Sequence, residues 1–245
     1  MRLTRVHVPG PLAAGREITL PAQAGEHLVR VLRLSTGAAV TLFDGAGGEY
    51  AATISATGRQ VRAQVLAHSA VERESPLDVT LLQGVARGER MDLIVQKATE
   101  LGVRRIVPVL AERSVVRVDA KQQARKREHW QSIVVSACEQ CGRNRVPPVD
   151  APTGLRDAIG ALPPDGLRCL LAVDAAQSLA AATRHAPSGP VALLIGPEGG
   201  LADDEQRLAL QNSFIACGLG PRVMRTETAG IAALAALQTI VGDFA

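Results

Sequence analysis

Aromatic side chains are scarce in this sequence, whose 245 residues include three Phe, one Tyr and one Trp. With so few rings, stacking on aromatic side chains can contribute little to ligand binding. Long apolar runs are also missing, because the longest one, residues 231–237, is too short to cross a bilayer. Residues 1–7 lack the apolar core of a secretory signal. We therefore expect a cytoplasmic protein with no membrane partner.

Cysteine is rare as well, and it occurs only as Cys138, Cys141, Cys169 and Cys217. Disulfides form mainly in secreted proteins, so we expect free thiols. Cys138 and Cys141 form a C-x-x-C motif, which raises the alternative of zinc or redox chemistry. A closed zinc site requires four ligands, usually from paired motifs, and the other two cysteines stand alone in apolar runs. We therefore favour structural thiols and predict no metal.

Charge is unevenly distributed along the chain, although the net charge is only +3. Residues 1–75 carry 8 basic and 6 acidic residues, residues 76–150 carry 13 and 9, and residues 151–245 carry 6 and 9. The positive field therefore lies in the first 150 residues, where it would attract a polyanion. The acid-leaning last third would suit a cationic ligand better than a phosphate. An ordinary solvated surface is the alternative explanation.

Residues 1–72 have the pattern of a small β-barrel. Short runs of β-forming residues predict strands over 17–20, 39–43, 50–54 and 59–66, and Asp44-Gly45 and Thr57-Gly58 supply turns. A short helix is predicted over 25–34, because Leu28, Val31 and Leu32 fall on one face. The charged segment 72–76 ends in proline and is typical of a linker.

From residue 76 onward, apolar strands alternate with helices, which predicts an α/β domain over 76–245 with a largely parallel sheet. The predicted strands cover 78–86, 104–110, 167–173, 191–195 and 213–217, and the predicted helices cover 89–101, 121–141, 203–211 and 228–241. The last helix is apolar on nearly every side, so it must be buried inside the domain or against a second subunit. Near the end of helix 121–141, Glu139 and Arg143 could form an ordinary helix ion pair.

A glycine-rich loop follows the strand at 191–195. It reads Gly196-Pro197-Glu198-Gly199-Gly200-Leu201, and a helix that Asp203 could cap comes next. Glycine lets a backbone approach a ligand, and α/β sheets bind ligands at the carboxyl ends of their strands. The loop lacks the Gly-Lys-Ser/Thr of a P-loop and the Gly-x-Gly-x-x-Gly of a dinucleotide fingerprint. A simple turn would not need three glycines and a proline beside a single glutamate.

A second glycine-containing segment lies between the strand at 213–217 and the final helix. It reads Gly218-Leu219-Gly220-Pro221-Arg222-Val223-Met224-Arg225-Thr226-Glu227-Thr228. Thr226 or Thr228 can cap the helix, but capping does not explain two arginines and a glutamate in the turn. We therefore predict that this segment is a second functional loop.

Together the two loops resemble the RsmE family of ribosomal small-subunit RNA methyltransferases, which modify N3 of a uridine. The resembling motifs are Gly196-Pro197-Glu198-Gly199-Gly200 and Leu219-Gly220-x-Arg222-Val223-Met224-Arg225-Thr226-Glu227-Thr228-Ala229. Further matches, in the family's order, are His27-x-x-x-Val31-Leu32-Arg33, Leu42-Phe43-Asp44-Gly45, Lys97-Ala98-Thr99-Glu100-Leu101-Gly102-Val103, Glu112-Arg113-Ser114 and Glu139-Gln140-x-x-Arg143. Val223-Met224 replaces the usual isoleucine and leucine, which is a mild change of shape.

The resemblance implies a PUA-like β-barrel over 1–72 that helps to bind RNA. It also implies a SPOUT-type α/β methyltransferase domain over 76–245 with a carboxyl-terminal trefoil knot, a feature that is nearly absent from other folds. The implied cofactor is S-adenosyl-L-methionine, and the implied partner is 16S ribosomal RNA or the small ribosomal subunit. The family acts as a homodimer, which fits a final helix that must be buried.

The resemblance also implies roles for individual residues. The residues expected to bind the cofactor, mostly through backbone groups, are Leu194, Ile195, Gly196, Glu198, Gly199, Leu219, Gly220, Val223, Met224, Arg225, Thr226 and Ala229. Methylation at N3 requires a base for the uracil proton and donors near O2 and O4. The candidate charge stabilisers are Arg113, Arg143 and Arg225, and the candidate bases are Glu139 and Glu227, although either glutamate could only position an arginine. The residues expected to bind RNA are Arg5, His27, Arg30 and Arg33.

Two other functions remain open at this point. A non-catalytic RNA-binding or ribosome-assembly factor would explain the basic first 150 residues equally well, but it would not explain two glycine-rich loops. An enzyme of the same superfamily could instead methylate a ribose 2′-hydroxyl of transfer RNA. Affinity for S-adenosylmethionine distinguishes a methyltransferase from the assembly factor. The chemical identity of the methylated nucleoside distinguishes a uracil N3 methyltransferase from a ribose methyltransferase.

Overall fold

The structure is a computed structural model, and it describes residues 4–114, 120–184 and 189–244, with the side chains of 120 and 121 left out. Residues 1–3, which open the first predicted domain, therefore lie outside the described part. The chain divides into two compact units. The first comprises Met1–Glu74 and Val135–Val146, and the second comprises Ser75–Val134 and Pro147–Ala245.

The first unit contains a five-stranded sheet. Its strands are β1 (Arg5–His7), β2 (Glu17–Thr19), β3 (Ala39–Phe43), β4 (Glu49–Thr57) and β5 (Val61–Ser69). The strand order is β1-β3-β4-β5-β2, and the pairs are antiparallel except for β1 with β3. One side of this sheet buries an apolar core that includes Val6, Leu42, Ile54 and Val65. The predicted strands at 17–20 and 39–43 are confirmed. The strand β4 extends past both predicted ends, and β5 begins two residues later and ends three residues later than predicted.

The helix predicted over 25–34 is wrong in its extent and its face. An α-helix, α1, covers Ala22–Glu26, and a π-helical turn covers His27–Val31. Arg33 ends the segment with a φ of 55°, a value that side-chain-bearing residues rarely adopt. Only Leu28 of the expected apolar face is buried, because Val31 and Leu32 are 63% and 41% exposed. The wider π turn rotates the later residues away from the core.

The second unit contains a seven-stranded sheet in which every pair is parallel. Its strands are β6 (Val79–Gly84), β7 (Arg105–Leu110), β8 (Thr153–Gly154), β9 (Leu167–Leu171), β10 (Gln177–Ser178), β11 (Val191–Ile195) and β12 (Ile215–Gly218). The strand order is β10-β12-β9-β11-β6-β7-β8. The predicted α/β class with a parallel sheet is therefore confirmed.

Six helices follow α1 in the described part of the chain. They are α2 (Glu89–Glu100), α3 (Ala120–Cys141), α4 (Leu155–Gly160), α5 (Leu179–Arg184), α6 (Asp203–Gln211) and α7 (Thr226–Val241). The strand β1, the short strands β8 and β10 and the six-residue helices α4 and α5 were missed, because such short elements carry little periodic signal. None of the helices in the described ranges is long and apolar enough to cross a membrane.

Helices cover both faces of the parallel sheet. On one face, Leu82 and Leu194 pack in a core with Ile159 of α4 and Ala209 of α6. On the other face, α7 packs against α2, α5 and β11. The predicted burial of the last helix holds along one side, where Gly230, Ala233, Leu234 and Leu237 are buried. Its opposite side, including Ile231 and Ala235, is only half-buried.

Candidate active site

A cavity of about 800 Å³ opens at the carboxyl ends of β9, β11 and β12, three neighbouring strands of the parallel sheet. Three loops line it, namely residues 172–175 after β9, residues 196–201 after β11, and residues 219–225 between β12 and α7. Neighbouring parallel strands end at the same edge, so their following loops converge there. The strand order thus brings together two loops that the sequence had separated by about twenty residues, with a third loop beside them.

The glycine loop 196–201 is shaped by packing against other backbone segments. A Cβ on Gly84, the last residue of β6, would overlap the backbone nitrogen of Pro197. A Cβ on Gly199 would lie 3.0 Å from the Cβ and 3.1 Å from the carbonyl oxygen of Arg113. Gly200 has a φ of 70° and its N–H donates to the carbonyl of Pro197, which closes the turn. Glycine is therefore required at these positions to bring three backbone segments into contact.

Glu198 is held in place at the edge of the cavity. Its Oε1 accepts from the backbone N–H of Arg87 and from Nη1 of Arg90, both at 2.9 Å. Burial alone would raise the pKa of Glu198, but the Arg87 N–H and the Arg90 guanidinium outweigh it and hold this pKa below its usual value. Nε of Arg90 also lies 3.9 Å from Oε1 of Glu227, so one guanidinium stands between a carboxylate of the glycine loop and one in the first turn of α7. No sequence motif indicated a role for Arg90.

The hydroxyl of Thr226 connects the two glycine-containing loops. It donates to the carbonyl of Gly196 at 2.6 Å and accepts from Nε2 of Gln83 at 2.9 Å. Gln83 is fully buried at the end of β6, in a strand that is otherwise mostly apolar. The predicted cap of α7 is therefore wrong, since the N-cap position is Arg225 without a side-chain hydrogen bond. If the hydroxyl turned away to cap the helix, it would lose two hydrogen bonds and leave their buried partner groups unsatisfied.

The cap predicted for α6 is also wrong. Asp203 is the first helical residue, and its carboxylate lies 3.6 Å from Nη2 of Arg113. The N-cap position is Ala202, whose N–H donates to Oε2 of Glu205 at 2.9 Å. The glutamate reaches back over the first turn as in a capping box.

Eleven of the twelve residues predicted to bind the cofactor line the cavity. They are Ile195, Gly196, Glu198, Gly199, Leu219, Gly220, Val223, Met224, Arg225, Thr226 and Ala229. The exception is Leu194, which is fully buried in the apolar core under the sheet. Side chains alternate across a strand, so Leu194 faces away from its neighbour Ile195.

The loop after β9 was missed by sequence reasoning. Its residues Ala172, Val173, Asp174 and Ala175 all line the cavity, together with Leu171 at the end of β9. This loop has no glycine, and no local motif distinguishes it from other strand ends. Its position depends on β9 lying between β11 and β12 in the sheet. The charge of Asp174 is the only local signal that could have indicated it.

The predicted catalytic residues fall into both units. Arg113, Arg225 and Glu227 line the cavity of the second unit. The Glu227 side chain is 14% exposed, and its Oε2 is buried without a hydrogen-bond partner among the described residues. Glu139 and Arg143 belong to the first unit, because Val135–Val146 is grouped with it.

In the first unit, Glu139 and Arg143 have separate partners. Oε1 of Glu139 accepts from the backbone N–H of His7 at 3.0 Å. Burial raises the pKa of Glu139, and this effect outweighs the His7 N–H and nearby positive charge. Arg143 forms a buried ion pair with Glu74, at 2.6 Å between Nη2 and Oε2. Their side chains are only 4% and 7% exposed, so a carboxylate of the same unit holds this arginine in place.

The residues predicted to bind RNA differ in exposure. His27, Arg30 and Arg33 are exposed on the π-helical turn and just after it, and Arg30 pairs with Glu26. Arg5 is buried, and its guanidinium donates to Glu49, to Asn144 and to the carbonyl of Arg143. This corrects the expectation that Arg5 faces a phosphate, because its guanidinium holds unit one together instead.

The C-x-x-C motif has the environment of structural thiols. All four cysteines are free, and Cys138 is buried. Burial raises the pKa of the Cys138 thiol to about 12, so it stays protonated at neutral pH. In the part of the chain that the structure describes, no group of three or more His, Cys, Asp or Glu side chains is placed to hold a metal ion.

The fold and the cavity can now be compared with known proteins. A family profile described as an RNA methyltransferase domain matches residues 73–238, and a second, described as an RNA methyltransferase PUA domain, matches residues 20–66. These matches define the class: an RNA methyltransferase with a PUA-like domain.

Individual relatives narrow this class. The ribosomal RNA small subunit methyltransferase E of Bacillus subtilis is 32% identical over 86% of this chain and 85% of its own. The protein of the same name from Neisseria gonorrhoeae, solved bound to S-adenosyl methionine, is 40% identical with a TM-score of 0.92 over 100% of both chains. A methyltransferase of Legionella pneumophila, solved with its bound cofactor SAM, is 39% identical with a TM-score of 0.94, also over 100% of both chains. The chain belongs to the family of ribosomal RNA small subunit methyltransferase E.

Proposed function

We propose that this protein is an S-adenosylmethionine-dependent methyltransferase that methylates N3 of a specific uridine in 16S ribosomal RNA of the small ribosomal subunit. The observation that carries the proposal is the cavity at the carboxyl ends of β9, β11 and β12, lined by both glycine-containing loops. Its volume, about 800 Å³, lies in the range that takes nucleotide-sized ligands. Relatives of the same family bound to S-adenosyl methionine support the choice of ligand.

The residues of the cavity fit this methyl donor. S-adenosylmethionine supplies an electrophilic methyl group on a sulfonium when it is bound. The carboxylate of Asp174, on the third loop, suits the positive charges of such a ligand. Gly196 and Gly199 leave the backbone of their loop close to the cavity, where N–H and C=O groups can contact an adenosine. We assign cofactor binding to these loops, including Ile195, Leu219, Gly220, Met224 and Ala229.

The base for the N3 proton is assigned to Glu227 or Glu139. Glu227 lines the cavity and has a buried Oε2 without a described partner, which leaves that oxygen able to accept a proton. Burial raises the pKa of Glu139, which makes its carboxylate a stronger base than an exposed one. Arg113 and Arg225 line the cavity and are proposed to stabilise the charge that spreads onto O2 and O4. The variants Glu227→Gln and Glu139→Gln, compared at saturating cofactor, decide between the two. The base is the glutamate whose replacement causes the larger loss of turnover.

Other expectations of the family belong to the same proposal. Residues 1–72 are proposed as a PUA-like β-barrel that binds RNA through His27, Arg30 and Arg33, and residues 76–245 as the methyltransferase domain. The carboxyl-terminal trefoil knot, the homodimer and a cytoplasmic location are also proposed. The half-buried side of α7, with Ile231 and Ala235, supports a subunit contact.

Two measurements test the proposal. Titration calorimetry of the purified protein with S-adenosylmethionine should show binding; an RNA-binding assembly factor would show none. Mass spectrometry of nucleosides from 16S ribosomal RNA of cells lacking this protein should show the loss of one N3-methyluridine. A missing ribose methyl in transfer RNA, with ribosomal RNA unchanged, would overturn the assignment of the substrate.

A further inference from the structure

The loop between β12 and α7 carries two exposed arginines, Arg222 and Arg225, and both line the cavity. Gly220 has a φ of 106°, and a Cβ at this position would meet open space, so glycine serves the backbone turn. Pro221 then restricts the chain, and Val223 is 77% exposed. The loop therefore projects Arg222 and Val223 outward at the opening of the cavity.

The arginines that line the cavity differ in their partners. Four arginines and three carboxylates line it, namely Arg90, Arg113, Arg222 and Arg225 with Asp174, Glu198 and Glu227. Arg90 pairs with Glu198, and Arg113 lies near Asp203. Across residues 4–114, 120–184 and 189–244, Arg222 and Arg225 have no ion-pair partner.

This local charge differs from the charge of the surrounding segment. Residues 151–245 carry 6 basic and 9 acidic residues, which suggested that phosphates would not bind there. At the cavity, however, arginines from the middle and the last third of the chain meet. The cofactor brings a sulfonium, an ammonium and a single carboxylate, so at most one guanidinium can pair with its negative group. Of the two arginines without an ion-pair partner in the described ranges, at least one therefore fits an anionic second ligand.

We propose that Arg222 binds a phosphate of the substrate RNA beside the nucleotide that is methylated. This inference rests on the proposed function and adds to it an RNA contact in the second unit, on the loop that also lines the cofactor cavity. A guanidinium offers two parallel N–H donors to phosphate oxygens, a geometry that lysine cannot reproduce. Arg225 directly precedes α7. Its proposed role is to stabilise the charge on O2 and O4 of the target uracil, so the two arginines have separable roles.

The test compares Arg222→Ala and Arg222→Lys with Arg156→Ala as a matched control. Arg156 is an exposed arginine of α4 in the same unit and does not line the cavity. The probes are S-adenosylmethionine and small ribosomal subunits purified from cells lacking this protein. Arg222→Ala should weaken subunit binding about tenfold and retain the affinity for S-adenosylmethionine.

The salt dependence of subunit binding is the second readout. Because one phosphate contact is lost, the slope of log affinity against log salt should become shallower by about 1. Arg222→Lys should restore the slope and only part of the affinity.

Three outcomes would overturn the inference. If Arg222→Ala binds subunits as tightly as Arg156→Ala does, the arginine makes no RNA contact. If affinity falls with an unchanged salt slope, Arg222 contacts a base and the phosphate assignment is wrong. If affinity for S-adenosylmethionine collapses instead, the residue belongs to the cofactor site. All three leave the proposed function intact, which fails if the unaltered protein does not bind the cofactor or does not methylate the subunits.

Discussion

The cavity of the second unit and the ion-pair network of the first unit hold their polar groups in different ways. Around the cavity, position is set by backbone contacts of Gly84 and Gly199 and by the hydroxyl of Thr226. In the first unit, ion pairs set the positions: the buried Arg5 and the exposed Arg73 pair with Glu49, and the buried Arg143 pairs with Glu74. The site thus tolerates little added volume, whereas the network tolerates little loss of charge.

The comparison also separates two kinds of motif. Glycines that suggest ligand contact turn out to serve packing as well, as at Gly199 against Arg113. A charged motif residue that suggests chemistry, Arg143, is also buried against a carboxylate. A motif therefore identifies residues under constraint, and only the contacts identify which constraint applies.

The largest effect is expected from Arg143→Met, which would break the network. Removing one partner of a buried ion pair leaves the Glu74 carboxylate buried without its cation, which costs about 3–5 kcal/mol. Urea unfolding at neutral pH measures this loss. The double change with Glu74→Leu should recover most of the stability. A stable Arg143→Met protein that lacks activity would show that this arginine acts in catalysis.

The next largest effect is expected from Gly84→Ala at the cavity. The added methyl would overlap the backbone of Pro197 and displace the glycine loop, at a cost of about 2 kcal/mol. If the binding-competent position of the loop becomes less stable by this amount, the affinity for S-adenosylmethionine should fall about thirtyfold, as measured by calorimetry. Gly154→Ala is the control, because a Cβ there meets nothing within 4 Å. Equal affinities for the two variants would show that backbone packing does not shape the cavity.

Thr226→Val should have a smaller effect at the same site. It removes the bond to the Gly196 carbonyl and the acceptor for Gln83 while keeping the volume. The loss of about 1.4 kcal/mol should appear as a tenfold weaker affinity for S-adenosylmethionine. Thr226→Ser keeps the hydroxyl and should bind nearly normally. If the serine variant is as weak as the valine variant, the hydroxyl is not what joins the loops.

The smallest effect is expected from Glu49→Gln in the network, and it should depend on pH. Burial alone would raise the pKa of Glu49, but Arg73 and Arg5 outweigh it and hold this pKa below its usual value. A lowered pKa stabilises the fold above the unfolded-state value, near 4.5, and this stabilisation is lost as the pH falls through the folded-state value. The variant should lose about 1 kcal/mol at pH 7. The difference from the unaltered protein should vanish in acid; a difference that persists unchanged there would rule out the charge as its source.

Much of the second unit was predictable because its elements are long and periodic. The strand at 191–195 and the helix at 203–211 have the predicted bounds. Strands β1, β8 and β10 and helices α4 and α5 were missed, because two-residue and three-residue strands and six-residue helices have little room for a period. The equally short β2 was predicted from its β-forming residue types. In the first unit, the π-helical turn at His27–Val31 broke the assumption of 3.6 residues per turn on which its predicted face depended.

The amino-acid sequence by itself determined the α/β class, the two glycine-containing loops and the family, because period, glycine spacing and motif order are local properties of a chain. Only the tertiary structure decided that the loop after β9 joins the cavity, that Arg5 and Arg143 are buried on carboxylates, and that Arg222 has no described ion-pair partner. These facts depend on which strands lie side by side and which charges meet. Such long-range pairings are set by the packing of the whole chain and leave no mark on neighbouring residues.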